Sequence, residues 1–238
     1  MKAHLFKSVL ASVIFLFTFT SLMSQNETGN QLLNKVYRKI QKANDYSVNA
    51  NIKVDMPFIK MLPIDVKIYF KQKDKFKVES KSIALIPRQG FDQLSKMLSD
   101  TNQFTCMIQG LEMLGATSTK IINVIPLSDT TDVILGKLWV DPLESLVLKL
   151  QLTTKSSGTI ITEYQYGIQK TYGLPDLMVF TIDVKKFKIP KLMGADVHHE
   201  KADLDNKQQE KKNGKIVVKL GNYQINNGIP DAFFLNKK

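Results

Sequence analysis

The side chains that most often carry out chemistry are few in this chain, and their spacing is unfavourable. Cys106 is the only cysteine, which excludes an internal disulfide and a cysteine-rich metal site. A catalytic thiol needs a base and an orienting group beside it. Apart from His4 near the N-terminus, the histidines are His198 and His199, far from Cys106 in sequence. We therefore expect Cys106 to be a buried and unreactive thiol.

One short stretch could attract a metal ion. His198 and His199 are followed by the carboxylates of Glu200, Asp203 and Asp205. Adjacent residues on a strand point to opposite faces, and a flexible loop would hold a metal only weakly. The sequence also has no HExxH, no glycine-rich phosphate loop and no Gly-x-Ser-x-Gly. We predict no catalytic residue, no metal site and no cofactor.

Residues 1–24 have the layout of a secretory signal peptide. Lys2 and Lys7 form a charged start, an apolar run covers residues 9–19, and small or polar residues lead to Ser24. The run is shorter than the roughly 20 apolar residues that a spanning helix needs. We expect cleavage near Ser24-Gln25 and export from the cytoplasm, with retention of the leader as an N-terminal anchor left open.

Composition and charge limit the class of partner. With 43% hydrophobic and 23% charged residues, the chain suits a globular domain. A formal net charge of +11 favours acidic lipids or acidic proteins as partners. The lysines are spread along the chain rather than grouped with aromatic residues, and the export signal also argues against nucleic acid.

Hydrophobic periodicity predicts one helix followed by strands. Residues 29–44 carry apolar side chains at three- and four-residue steps, which predicts an amphipathic helix with a basic back. From residue 48 onward the period is two, which is typical of antiparallel strands with one buried face. The alternating segments are 48–56, 64–72, 76–80, 146–152, 159–166, 178–184 and 215–220.

Three stretches interrupt this pattern. Residues 89–99 have helical spacing and predict a short helix, whereas residues 104–114 fit either a helix or a strand. Residues 188–214 are rich in mixed charge and predict a polar loop inserted between two strands. We find no linker or repeat, so residues 25–238 are expected to form a single domain.

The expected sheet is too wide for the expected helices. About nine strands at roughly 4.8 Å each make a sheet about 40 Å wide, whereas a helix is about 10 Å across. The sheet must curl, pack on a second sheet, or leave apolar surface for a ligand. A curled sheet with a helical lid could hold a lipid, although a closed sandwich would also explain the alternation. The candidate lining residues are Ile52, Val54, Ile68, Phe70, Leu148, Leu150, Phe180 and Ile182.

The order of elements resembles the LolA/LolB-type superfamily of periplasmic lipoprotein carriers. The residues behind this resemblance are Leu138-Trp139-Val140-Asp141-Pro142 before a strand and the closing stretch 225–234, with its Gly-x-Pro-Asp-x-Phe phrase. The resemblance implies a mainly β (α+β) fold, an unclosed antiparallel barrel covered by an N-terminal helix and short lid helices. The family's lid-locking arginine has no counterpart on strand 64–72, which offers Lys67 and Lys71.

Together, the residues and the resemblance predict a non-enzymatic, monomeric periplasmic protein that binds lipid or lipoprotein acyl chains in an apolar cavity. It would serve lipoprotein sorting to the outer membrane, between an inner-membrane donor and an outer-membrane acceptor protein. The alternatives are an envelope-stress or signalling module that binds a protein partner, a hydrolase on a β-rich scaffold, and a surface adhesin with a filled core.

Overall fold

The computed structural model describes residues 27–56, 61–73, 75–80, 97–98, 101–129, 131–156, 158–183 and 213–235. The predicted leader, residues 1–24, lies outside these ranges. So does most of the predicted helix at 89–99, of which Met97 and Leu98 are described as helical. The loop predicted at residues 188–214 also lies outside them, apart from its last two residues, which begin a strand.

One helix and ten strands make up the described fold. No helix in these ranges is long and apolar enough to cross a membrane. The elements are α1 (Gly29–Ile40), β1 (Asp45–Asp55), β2 (Ile64–Lys71), β3 (Lys75–Ser80), β4 (Phe104–Leu114), β5 (Thr117–Pro126), β6 (Val133–Asp141), β7 (Leu146–Thr154), β8 (Gly158–Gln165), β9 (Leu177–Asp183) and β10 (Asn213–Ile225). Short helical turns occur at Thr101–Gln103, Ile168–Tyr172 and Ala232–Leu235.

All ten strands form one antiparallel sheet in the order β3-β2-β1-β10-β9-β8-β7-β6-β5-β4. The edge strands β3 and β4 are not hydrogen-bonded to each other, so the sheet does not close. This confirms the predicted mainly β fold, an unclosed antiparallel barrel with helical cover. The stretch at 104–114, which the sequence left open, is the edge strand β4.

The helix α1 begins where its sequence predicts and ends earlier. Thr28 accepts a hydrogen bond from the backbone N–H of Gln31, and the Gln31 side chain accepts one from the backbone N–H of Thr28. This capping box satisfies two free donors of the first turn. The helix ends at Ile40 rather than at residue 44, because the chain must turn into β1 at Asp45.

We name the two ends of the barrel by the strand connections that lie at each. The turns β2–β3, β4–β5, β6–β7 and β8–β9 lie at the same end as the C-terminus of α1, and we call this the helix end. The connections β1–β2, β5–β6, β7–β8 and β9–β10 lie at the opposite end.

One apolar core joins α1 to one face of the sheet, which we call the inner face. The core includes residues of β2 near one edge and of β4 at the other edge, and the buried side chains of α1. Ten strands at about 4.8 Å would extend about 48 Å if flat, so a single helix can meet both regions only because the sheet curls around it.

A β-bulge between β6 and β7 corrects one detail of the predicted alternation. Trp139 pairs with Lys149 and Val140 pairs with Val147, so Leu148 is the extra residue. The bulge changes which side chains face inward. Val147 is buried in the core, whereas Leu148 is half-buried and does not belong to the core cluster. Of the two candidates on β7, Leu150 therefore belongs to the core, whereas Leu148 lies at the bulge outside the core cluster.

The bulge generates a prediction about stability. Leu150 is fully buried, so Leu150→Ala should lower the free energy of unfolding by about 2–5 kcal/mol. The same change at Leu148 should cost much less, because that side chain is already partly in water. Urea unfolding followed by the fluorescence of Trp139, the only tryptophan, measures both. Equal losses would contradict the register across β6 and β7.

Candidate functional site

The inner face carries a continuous row of apolar side chains across eight strands. Cross-strand pairing places one residue from each strand in the row, from β1 through β10 and onward to β4. Seven of its eight members are apolar and one is a threonine. In order they are Val54, Ile216, Phe180, Thr162, Leu150, Leu138, Ile122 and Ile108. We call this row and its inner-face neighbours the inner wall.

The structure brings most of the sequence-predicted residues together on this wall. Val54, Leu150 and Phe180 belong to the row itself, and the neighbouring rows contain three more. Six of the eight predicted lining residues belong to the apolar core. They are Ile52, Val54, Ile68, Leu150, Phe180 and Ile182. Phe70 pairs with Phe76 on the same face and stacks on Tyr46, with ring centroids 5.1 Å apart. Leu148 is half-buried at the bulge of β7 and lies outside the core cluster.

Sequence reasoning missed five members of the row: Ile216 of β10, Thr162 of β8, and one residue on each of β4, β5 and β6. Ile108, Ile122 and Leu138 complete the row, yet none was named as a candidate. The signal for Leu138 was weak, because the neighbouring Trp139 and Val140 are also buried and conceal the alternation. For Ile108 the segment itself fitted either a helix or a strand.

The helix α1 covers this wall in the structure. Leu32, Leu33 and Val36 are at most 2% exposed and belong to the same core. At the start of the helix, a Cβ built on Gly29 would lie 3.0 Å from Cys106 Sγ and 3.4 Å from Ile122. A glycine therefore lets the helix approach β4 and β5 closely.

A second cover comes from the short described helical piece at Met97 and Leu98. Leu98 is 1% exposed and lies in the core. Met97 Sδ would be 3.0 Å from a Cβ built on Gly136 of β6. The inner wall is thus in contact with apolar side chains from two separate helical segments.

Polar groups on the wall are few, and several of them lie on or next to β8. Thr162 is 1% exposed and stands two residues from Tyr164, which is also buried. Tyr166 donates a hydrogen bond to the carbonyl oxygen of Val147 at 2.8 Å. Burial raises the pKa of both tyrosine hydroxyls, so they stay neutral and place no charge on the wall.

An ion-pair cluster fixes the entry to α1. Glu27 lies 2.7 Å from Lys35 of the helix and 3.3 Å from Lys120 of β5. Burial alone would raise the pKa of Glu27, but hydrogen bonds from Lys35 and Lys120 outweigh it, so the pKa is lowered. The carboxylate therefore ties the first turn of the cover to the sheet.

Within the described part of the chain, Cys106 has no base beside it of the kind that a catalytic thiol needs. Its Sγ donates to Asn30 Oδ1 at 2.8 Å, and burial raises the pKa of the thiol. A protonated thiol is a poor nucleophile. The side chain is half-buried rather than fully buried. Among the described residues no group of three or more His, Cys, Asp or Glu could hold a metal, and His198 and His199 lie outside those residues.

The outer face is polar and carries a groove of about 860 Å³ on strands β10, β1, β2 and β3. None of the eight predicted lining residues borders it. Its charged borders are Asp65, Lys67, Glu79 and Lys219. Lys67 points outward here, and Lys71, also on the outer side, pairs with Asp231 at 2.7 Å. Neither lysine can therefore replace an arginine that locks a lid from the inner face.

The outer face also holds the single tryptophan. Trp139 is 4% exposed, and its Nε1 donates to Glu112 Oε2 at 2.8 Å. Lys137 and Lys149 approach the ring at 4.9 and 4.5 Å from its centroid. These contacts explain the burial of an outward-facing aromatic ring as packing of lysine stems and cation–π attraction.

The Glu27 cluster generates a prediction about pH. A carboxylate with a lowered folded-state pKa stabilises the fold fully above its unfolded pKa, about 4.3, and loses that contribution as the pH falls through the folded value. The protection of the amides in the first turn of α1, measured as exchange relative to the intrinsic rate at the same pH, should therefore fall on acidification below about pH 4. Glu27→Gln should already show fast exchange at neutral pH. Unchanged protection in Glu27→Gln would contradict the anchoring role.

No family model and no curated protein matches this sequence. Among solved structures, a DUF1329 family protein from Desulfovibrio piger is similar, with a TM-score of 0.53 and 13% identity, over 87% of this chain and 95% of the other. A putative outer membrane lipoprotein-sorting protein domain from Vibrio parahaemolyticus has a TM-score of 0.57 and 8% identity, over 87% and 95%.

A LolA superfamily protein from Nitrosomonas europaea is similar as well. Its TM-score is 0.54 and its identity 10%, over 88% of this chain and 98% of the other. At such identities the likeness concerns the fold alone, and it agrees with the unclosed ten-stranded sheet and the N-terminal helix. The chain has a LolA/LolB-type fold.

Proposed function

We propose that this protein is a non-enzymatic binder of lipid or lipoprotein acyl chains, which lie along the inner wall. The observation that carries the proposal is the continuous apolar row across eight strands, in which Thr162 is the only polar member. Such a row offers a hydrocarbon chain contact along its whole length without any charged group.

Exchange of apolar contacts explains both binding and release. Each methylene removed from water is worth about 0.8 kcal/mol, so a sixteen-carbon chain resists exposure by about 12 kcal/mol. In the structure the wall is already covered by Leu32, Leu33 and Val36 of α1. A ligand that displaces them replaces one set of apolar contacts with another. The net change is small, so the cargo can leave without a chemical step.

We further propose that the cargo is carried through the periplasm towards the outer membrane. The predicted leader at residues 1–24 supports export, and one structural neighbour is named as an outer membrane lipoprotein-sorting protein domain. Handover would then need an inner-membrane donor and an outer-membrane acceptor, with a monomeric carrier between them.

A matched pair of variants tests the use of the inner wall. Phe180 is fully buried on the wall, and the next residue of β9, Thr181, points to the outer face. Phe180→Asp should abolish uptake of a fluorescent sixteen-carbon fatty acid, because it places a charge in the row. Thr181→Asp should bind as the unmodified protein does.

Titration of the fluorescent fatty acid measures both variants, with circular dichroism as the check on folding. Because Phe180→Asp could also unfold the protein, Phe180→Ala serves as a milder variant, which should fold and bind more weakly. An unmodified protein that takes up no fatty acid, or equal uptake by the folded Phe180 and Thr181 variants, would overturn the proposal.

A reversible lock tests whether α1 must move for binding. A Cβ built at residue 29 lies 3.0 Å from Cys106 Sγ. In a disulfide, with its S–S bond of about 2.05 Å, the Cβ of one cysteine lies at about this distance from the sulfur of the other cysteine. Gly29→Cys should therefore form a disulfide with Cys106 under oxidation. The oxidised variant should take up fatty acid at least tenfold more weakly, and reduction should restore uptake. Equal uptake in both states would assign the opening to another segment.

A second candidate function is suggested by the edge strand β4. Met107, Leu111 and Met113 are 59 to 70% exposed on this strand, and among the described strands β4 pairs only with β5. An added strand from another protein could pair with such an edge, as a signalling or envelope-stress module would require. Lipid that co-purifies with the protein and is identified by mass spectrometry would favour the carrier over this alternative.

A further inference from the structure

The two most exposed large apolar side chains among the described residues lie at the helix end. Leu143 is 93% exposed in the β6–β7 turn, and Ile168 is 88% exposed in the helical turn between β8 and β9. Lys170 of that helical turn forms an ion pair with Glu144 at 3.0 Å, which joins the two loops. Neither apolar tip takes part in the inner wall.

The turn that carries Leu143 is held in place by specific contacts. Asp141 accepts hydrogen bonds from the backbone N–H groups of Leu143 at 2.8 Å and of Glu144 at 3.2 Å. Such a turn is a built feature and not a frayed loop. The hydrogen bonds of this turn thus hold the Leu143 side chain in water, where it contributes no buried apolar contact to the stability of the fold.

Basic residues of α1 surround these tips. Lys39 donates to the carbonyl oxygen of Glu144 and lies 3.7 Å from its carboxylate. A Cβ on Gly173, at the end of the 3₁₀ turn, would lie 3.2 Å from Ile40, so the C-terminus of α1 adjoins the same surface. Arg38 and Lys42 are exposed there. We call Arg38, Lys39, Lys42, Leu143, Ile168 and Lys170 the basic rim.

We infer that the basic rim docks the protein onto an anionic membrane surface. Isolated apolar tips can insert at the boundary of headgroups and acyl chains, while lysines and arginines next to them contact anionic headgroups. Four cations accompany the two tips, and they outnumber the three carboxylates beside them, which belong to Glu144, Asp141 and Asp176. The net charge of the rim is therefore positive and complementary to such a surface.

A membrane fits these observations better than a protein partner does. A specific protein interface needs about 1,000 Å² or more with good complementarity, whereas the rim offers two separate tips among long charged side chains. The apolar stripe of α1 is buried in the core, so the helix presents only its basic back to the surface. The inference rests on the rim alone and does not depend on acyl-chain binding at the inner wall.

Vesicle co-sedimentation tests the inference. The unmodified protein should sediment with vesicles of three parts phosphatidylcholine to one part phosphatidylglycerol, and binding should weaken with added salt because the charges are exposed. Vesicles of phosphatidylcholine alone should bind at least tenfold more weakly. The double variant Leu143→Asp/Ile168→Asp should also lose at least tenfold in affinity for the anionic vesicles.

Two matched controls distinguish binding through the basic rim from binding through any exposed apolar residue or through the net charge of the protein. Leu62 is 85% exposed at the opposite end of the barrel, and Leu62→Asp should leave vesicle binding unchanged. Arg38→Glu/Lys42→Glu should weaken binding at least tenfold. Lys53→Glu/Lys219→Glu makes the same change of charge at exposed positions of β1 and β10, and it should have a much smaller effect.

Three results would overturn the inference. They are failure of the unmodified protein to sediment with the anionic vesicles, equal weakening by Leu62→Asp and the rim variants, and binding that does not respond to salt. The first result would leave a protein partner as the class of ligand for this surface. All substituted positions are exposed, so the variants should fold as the unmodified protein does, which circular dichroism checks.

Discussion

The width of a ten-stranded sheet is the constraint on which the rest of this structure depends. Every strand has an apolar face, and one helix about 10 Å across cannot cover them all if the sheet is flat. The sheet therefore curls until the inner faces of β1 through β10 and the stripe of α1 share one core. Because β3 and β4 do not pair, the curl stops short of closure and leaves the wall dependent on helical cover.

The cover is attached by a small number of contacts of different kinds. At one end of α1, Gly29 permits close approach to Cys106 and the Glu27 carboxylate binds Lys120. At the other end, Lys39 reaches the β6–β7 turn. Between them Leu32, Leu33 and Val36 supply apolar contacts. Such contacts are non-directional, so a hydrocarbon chain can substitute for them. This is the physical basis for a carrier that binds and releases without a chemical step.

The C-terminal segment adds polar contacts on the outer face of the sheet. The C-terminal segment turns at Asn226 and Gly228, where Asp45 accepts hydrogen bonds from the backbone, and then lies on the outer side of β2 and β3. There Phe233 packs on Tyr69, with ring centroids 4.6 Å apart. Lys71 and Lys75 pair with Asp231 there, and Lys77 lies 3.9 Å from the centroid of the Phe233 ring. The inner face is therefore mainly apolar, whereas charged side chains lie on the outer face and at the basic rim.

The sequence alone determined the elements that depend on local periodicity. Alternation at 178–184 and 215–220 predicted β9 and β10, and the three- and four-residue steps predicted α1 with its buried stripe. The same alternation put Ile52, Val54 and Phe180 on one face, because side chains on a strand have a period of two. The resemblance supplied the unclosed barrel, and the solved structures agree with it at the level of fold.

Only the tertiary structure decided where the two-residue alternation of the strands is interrupted and which segments pack against each face of the sheet. The bulge at Leu148 is set by pairing with β6, a partner that is not local in sequence. The strand at 104–114 exists because β5 pairs with it, whereas its own residues fit a helix equally well. The row that joins Ile108 to Val54 and the rim that joins Leu143 to Lys39 come from segments far apart in the chain. Local patterns cannot encode such meetings, because they depend on long-range register and on the curl of the sheet.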